Sequence, residues 1–151
     1  MDMKLILHPN DGSPSARKAL DYAIGLAQMA KAKLLVLNVQ RRHGSDRIPE
    51  SMVEFERIEQ IRMSEAELLR AAAEAIARSA EQTAHVKGLN DTEVVVGEGD
   101  PAREIVETAK NRNVDAIVIG SRGLGDLQGL LLGSVSHKVA HLAPCTCIIV
   151  R

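Results

Sequence analysis

The sequence predicts an α/β protein: a single doubly wound domain with a five-stranded parallel sheet in the order 3-2-1-4-5 and helices on both faces. Short β-branched runs without polar alternation, such as Asp115-Ala-Ile-Val-Ile119, read as strands buried on both sides. Between these runs lie stretches with apolar residues at helical spacing, and right-handed strand–helix–strand crossovers place such helices on the sheet faces. At 151 residues, 45% hydrophobic and 26% charged, the chain can bury a substantial core. No repeat, low-complexity segment or linker divides residues 1–151, which read as one domain.

Lys4 to His8 forms the first strand, stopped by Pro9-Asn10-Asp11-Gly12. Ser13 is placed to cap the following helix with Pro14 in its first turn, and Ala16, Ala19, Leu20, Ala23, Ile24 and Ala27 make one apolar stripe. Lys33 to Val39 is the second strand. Arg41 to Pro49 is a polar, arginine-bearing loop, for which a solvated course is the simplest reading. A long helix is expected from about Glu50 to Gln82, with Met52, Phe55, Ile58, Leu68, Leu69, Ala72 and Ile76 on its apolar side. Thr92 to Val96 is the third strand. Asp100 caps the next helix with Pro101 at its first position, and Ala102, Ile105, Val106 and Ala109 face inward. Asp115 to Ile119 and Cys147 to Arg151 complete the sheet, with a last helix opening at Ser134 between them.

A formal net charge of −1 gives no electrostatic reason for a nucleic-acid or membrane partner. One Tyr, one Phe and no Trp leave almost no stacking platform for single-stranded nucleic acid. The apolar run at the N-terminus is too short for a signal peptide, and no stretch approaches a membrane span. Cys145 and Cys147, separated by Thr146, offer no disulfide framework, which suits a reducing, cytoplasmic setting.

The chemistry-bearing pattern is Gly120-Ser-Arg-Gly123, nine residues, then Gly133-Ser134. Glycines at the end of a buried strand allow close approach of a ligand to the backbone and admit positive φ. A helix that starts at Ser134 offers unpaired N–H groups, its positive dipole end and the Ser134 hydroxyl to an anion. The dipole contributes only about 0.3–1 kcal/mol per charge, so several donors must converge to hold a polyphosphate. No Gly-Lys-Ser/Thr loop occurs, and Gly123, Gly125 and Gly129 miss the dinucleotide spacing. In the predicted strand order the winding reverses between strands one and four, so the loop bearing Asp11 faces the loop that runs from Gly120 to Gly133.

Pro9-Asn10-Asp11-Gly12-Ser13, Gly99-Asp100-Pro101, Gly120-Ser-Arg-Gly123, Gly133-Ser134-Val135-Ser136 and the turn Ala143-Pro144-Cys145 together resemble the universal stress protein family nearly end to end. The Gly-x2-Gly-x9-Gly-Ser spacing is similar to that of the family's ATP-binding branch. The resemblance implies an ATP or AMP site in which Pro9, Asn10 and Asp11 flank the ligand and Val39 frames adenine through its backbone. It places Gly120 and Gly123 on ribose and phosphate, and Gly133, Ser134 and Val135 at the phosphate seat. Asp11 would accept from a ribose hydroxyl or hold Mg²⁺ against the phosphates. Asn10 departs from the small apolar residue frequent in the family.

Other residues admit two readings. Arg122 either neutralises phosphate or is a solvated arginine. His137 and His141 with Cys145 and Cys147 carry zinc-ligand types, but a Cys-x-Cys beside a terminal strand is more simply a pair of partly buried thiols. His8 reads as a core or crevice-wall residue. The functional expectation is a nucleotide-dependent regulatory module, dimeric through its apolar C-terminal strand and signalling to a protein partner. The alternatives are a slow ATPase or nucleotide-transferring enzyme, for which no paired carboxylates or activated nucleophile are evident, and a non-binding dimerisation scaffold.

Overall fold

The structure, a computed structural model, describes residues 2–41, 65–124 and 131–151. Its strands are β1 (Leu5–Pro9), β2 (Lys33–Gln40), β3 (Thr92–Glu98), β4 (Ala116–Gly120) and β5 (Thr146–Val150), all parallel in the order β3-β2-β1-β4-β5. Between them run α1 (Pro14–Ala30), α2 (Glu65–Val86), α3 (Pro101–Asn111) and α4 (Ser134–Leu142). The predicted architecture and strand order are borne out, with strand ends displaced by a residue or two.

Alternation along the strands divides the core into two layers. Ile6, Leu34, Val36 and Val118 point to the face covered by α1 and α2, where they pack on Ala19, Leu20, Ala23, Ile24, Ala27, Ala80 and Ala84. Leu7, Leu35, Leu37, Ile117 and Ile119 point to the face covered by α3 and α4, against Ala102, Ile105, Ala109 and Val139. Both expected caps form: Ser13 Oγ accepts from the Ala16 N–H at 3.1 Å, and the Asp100 carboxylate accepts from the Arg103 N–H at 3.0 Å. Each such cap contributes about 1 kcal/mol.

The second helix departs from expectation. It is helical over Glu65–Val86 and so runs past the expected end at Gln82, while its expected start near Glu50, the loop beyond Arg41 and the positions Met52, Phe55 and Ile58 lie outside the described residues. Its buried stripe is Leu68, Ala73, Ala77, Ala80 and Ala84. Ala72 and Ile76 instead line a groove beside α1.

Two ionic clusters tie the sheet together at a distance from the crevice. The Asp115 carboxylate accepts from the Lys4 and Leu5 N–H groups at 2.7 and 2.9 Å, which holds it below the usual carboxylate range and fixes the entry to β1 beside the start of β4. Glu93 on the edge strand β3 accepts two hydrogen bonds from Arg112, at 3.0 and 2.8 Å, and pairs with Lys33 at 2.9 Å. The Arg112 and Lys33 hydrogen bonds lower its carboxyl to about 2. The folded value lies below the unfolded one, so the cluster stabilises the fold above pH ~4.3 and loses this as pH falls toward 2. Because these side chains are well exposed, Glu93→Gln costs at most about 1 kcal/mol. Urea denaturation of both proteins should show that difference at pH 7 and the loss of most of it by pH 2; a constant gap across this range would refute the assignment.

Candidate functional site

The C-terminal ends of β1 and β4 are neighbours, and the loops that leave them are bonded to each other. Asp11 is the hinge of this junction. One carboxylate oxygen accepts from the Ser13 N–H at 2.9 Å, closing a turn into α1, and the other accepts from the Leu124 N–H at 3.1 Å. The Arg122 N–H donates to Ser15 Oγ at 3.2 Å, so α1 also holds the β4 loop. The two loops predicted to face each other across the crevice therefore do so.

Gly120 has a different reason from the expected one. A Cβ built there would lie 2.6 Å from Ser15 Oγ and 2.8 Å from both Ser15 C and Ser15 O. The missing side chain lets the first turn of α1 lie against β4; it does not open the backbone to a ligand on that side. Nor is Gly120 among the glycines of positive φ, which in the described residues are Gly12, Gly88 and Gly99.

Ser121 organises the far wall. Its N–H donates to the Val150 carbonyl at 2.8 Å, and its carbonyl accepts from the Gly133 N–H at 2.6 Å and from Ser136 Oγ at 2.8 Å. These bonds return the chain from the end of β4 to the start of α4. Gly133 occupies the N-cap position at φ −73° and supplies no side-chain cap. The first-turn amides of α4 are thus left for an outside acceptor, beside the exposed Ser134 and the half-buried Val135. Arg122, in the loop that leaves β4, is exposed.

Pro9 and Asn10 are buried on the β1 side, and the Asn10 N–H donates to the Leu37 carbonyl at 2.9 Å. Asn38 Nδ2 in turn donates to the Asn10 carbonyl at 2.8 Å, which binds the loop to β2. Val39, near the end of β2, is half-buried and packs with the α3 layer. Gly123 is half-buried in the β4 loop. The chain therefore gathers Pro9, Asn10, Asp11, Gly120, Arg122, Gly123, Gly133, Ser134 and Val135 around the β1 and β4 ends, with Val39 one strand away.

Sequence reasoning gives no role to Ser15, Ser121, Leu124, Ser136 or Asn38. Ser15 follows the cap Ser13 and Pro14, and Ser136 stands two residues into the last helix; only their cross-chain partners reveal what they do. His8 is wholly buried, as a core residue. Cys145 and Cys147 are free and half-buried, and desolvation raises both thiols. Among the described residues no three of His, Cys, Asp or Glu gather to hold a metal ion, and no helix is long and apolar enough to cross a membrane.

A family model described as the universal stress protein family matches residues 3–151. The universal stress protein YxiE of Bacillus subtilis is 36% identical over 149 residues, covering 93% of this chain and 94% of that one. Among solved structures, the universal stress protein UspA from Lactobacillus plantarum superposes with a TM-score of 0.79 at 26% identity, over 100% of this chain and 99% of its own. A universal stress protein crystallised in complex with cAMP superposes with a TM-score of 0.74 at 26% identity, over the same shares of the two chains.

Proposed function

The chain belongs to the universal stress protein family, and from that premise we propose that it is a regulatory module of the stress response that binds an adenine nucleotide, ATP or AMP, at the β1–β4 crevice. The observation that carries the reading is the uncapped start of α4 beside Gly133, brought by Ser121 against the loop that Asp11 anchors. The relative crystallised with cAMP supports an adenine ligand. In this reading adenine lies against the end of β2 near Val39, ribose lies by Asp11 and Gly123, and the phosphates rest on the Ser134 and Val135 amides with Arg122 as counter-ion. Each Asp11 oxygen already accepts one amide and keeps a second lone pair for a ribose hydroxyl or for Mg²⁺.

Signalling follows from ligand-linked ordering. A nucleotide that bridges the Asp11 loop and the start of α4 favours one arrangement of the crevice over others, and that difference is what a protein partner reads. Dimerisation through β5 fits the topology, since β5 is an edge strand paired on one side with β4 and carries the apolar run Cys147-Ile-Ile-Val. Two unbridged thiols suit the cytoplasm.

Calorimetric titration with Mg·ATP and AMP tests the site. Micromolar binding, about −8 kcal/mol, is expected for the native chain. Gly133→Val, which places a branched side chain at the buried N-cap under the phosphates, should abolish it. Folded Gly133→Val protein that binds with parental affinity, or a native chain that binds neither nucleotide at millimolar concentration, would overturn the proposal.

A further inference from the structure

Ser136 is the third residue of α4 and is only 3% exposed. Its hydroxyl lies 2.8 Å from the Ser121 carbonyl and 3.1 Å from the Gly133 carbonyl. A serine has one hydroxyl proton, and here both neighbours are acceptors, so the proton is spent inside the protein and not on an anion. Neither carbonyl depends on it. The Ser121 carbonyl already accepts from the Gly133 N–H at 2.6 Å, and the Gly133 carbonyl accepts from the His137 N–H at 3.0 Å.

What the hydroxyl adds is a second point of attachment. Ser121 is itself fixed, because its N–H donates to the Val150 carbonyl at 2.8 Å and so ties the end of β4 to β5. From that fixed carbonyl one bond runs to the N-cap residue Gly133 and another to Ser136, three positions further on. A single bond at Gly133 holds the end of the helix in place but leaves it a pivot. Two bonds three residues apart also set the direction in which the first turn points. The amides of that turn, on Ser134, Val135 and Ser136, have no acceptor within the helix, and Gly133 brings no side-chain cap to them.

We propose that Ser136 is a positioning residue that aims the amides of Ser134, Val135 and Ser136 at the phosphates of the nucleotide, through its clamp on the Ser121 carbonyl. The inference rests on the nucleotide reading above and deepens it, since it assigns part of the phosphate-dependent affinity to a side chain that touches no ligand atom. Donors held in advance bind an anion more tightly than donors that must be ordered by it. A ligand without phosphate makes no use of these amides and is indifferent to the clamp.

Calorimetric titration of adenosine, AMP and Mg·ATP into the native chain, Ser136→Ala and Ser136→Thr tests the proposal. Removing Oγ leaves no buried carbonyl without a donor, so Ser136→Ala is expected to fold, which urea denaturation verifies. AMP and Mg·ATP should bind Ser136→Ala about tenfold more weakly than the native chain, while adenosine changes by less than about twofold. Ser136→Thr keeps the hydroxyl and should restore the native ratio of Mg·ATP to adenosine affinity. Equal weakening of all three ligands would mean that the hydroxyl only supports the fold, and it overturns the proposal. So do unchanged Mg·ATP affinity in Ser136→Ala, a folded Ser136→Thr that does not restore the ratio, and a Ser136→Ala chain that cannot fold. A native chain that binds none of the three ligands defeats the nucleotide reading and this inference together, whereas native binding with an unaltered affinity ratio in Ser136→Ala defeats this inference alone.

Discussion

Gly120→Ala lowers the stability of the fold by about 2 kcal/mol, within the range for adding volume to a filled interior. The reason is positional. The new methyl would lie 2.6 Å from Ser15 Oγ and 2.8 Å from the Ser15 carbonyl carbon and oxygen, and two of these three atoms are backbone. A side-chain atom rotates away; a backbone in the first turn of a helix capped by Ser13 and held by Pro14 does not. The strain must be relieved by lifting α1 from β4, which also breaks the Arg122–Ser15 hydrogen bond. For a chain of this length the thermal midpoint should fall by about 5 °C.

The double variant Gly120→Ala/Ser15→Ala discriminates the cause. If the backbone is the obstacle, removing Oγ returns little of the loss. Full rescue would show that only the hydroxyl stood in the way. A neutral Gly120→Ala would show that α1 does not approach β4 so closely. Nucleotide affinity should drop along with stability in Gly120→Ala, because the Arg122 and Gly123 segment is hung from α1 at Ser15.

How this site was readable follows from which of its determinants are local. The strand Asp115 to Ile119 announces itself because a chain buried on both faces has no polar side to show. Ser13-Pro14 and Asp100-Pro101 announce helix starts because cap chemistry acts within four residues. Once the strands were in order, the meeting of the Asp11 loop with the β4 loop followed from topology alone. The close contact of residue 15 with residue 120 is not local, and nothing in Gly120-Ser-Arg-Gly123 distinguishes a glycine that admits a ligand from one that admits a helix. Asp11 is similar: its position after β1 was legible, but the capture of the Ser13 and Leu124 amides by its two oxygens depends on loop geometry. Ala72 and Ile76 lie half-buried beside the deepest stripe of α2, and because alanine is common on every side of that helix, periodicity alone does not separate the two.

Acidification from pH 6.5 to 4 should remove about 3 kcal/mol of stability through His8 alone. His8 lies on the central strand, fully buried, with Nδ1 2.9 Å from the Val118 carbonyl. A carbonyl only accepts, so Nδ1 carries the proton and Nε2 is a bare acceptor, which has no partner among the described residues. Protonating Nε2 would place a cation in the core with no group to receive its new N–H. Burial is the dominant influence and lowers the imidazole from 6.5 to about 4, against the smaller opposing effects of the Val118 carbonyl and the Asp11 charge. Between these values the unfolded chain binds a proton that the folded chain refuses, so stability falls as pH falls and the loss is complete below about pH 4. The Asp115 and Glu93 carboxylates push in the same direction but act mainly at lower pH, since both are held below the ordinary carboxylate range. His8→Leu, close in volume and without a titrating group, isolates the contribution: urea denaturation at intervals from pH 7 to 4 should show the variant losing about 3 kcal/mol less than the native chain. Parallel stability curves for the two proteins, or an NMR titration that places the folded His8 imidazole near 6.5, would mean that water or a counter-charge reaches Nε2 and that the β1 core is more open than its packing indicates.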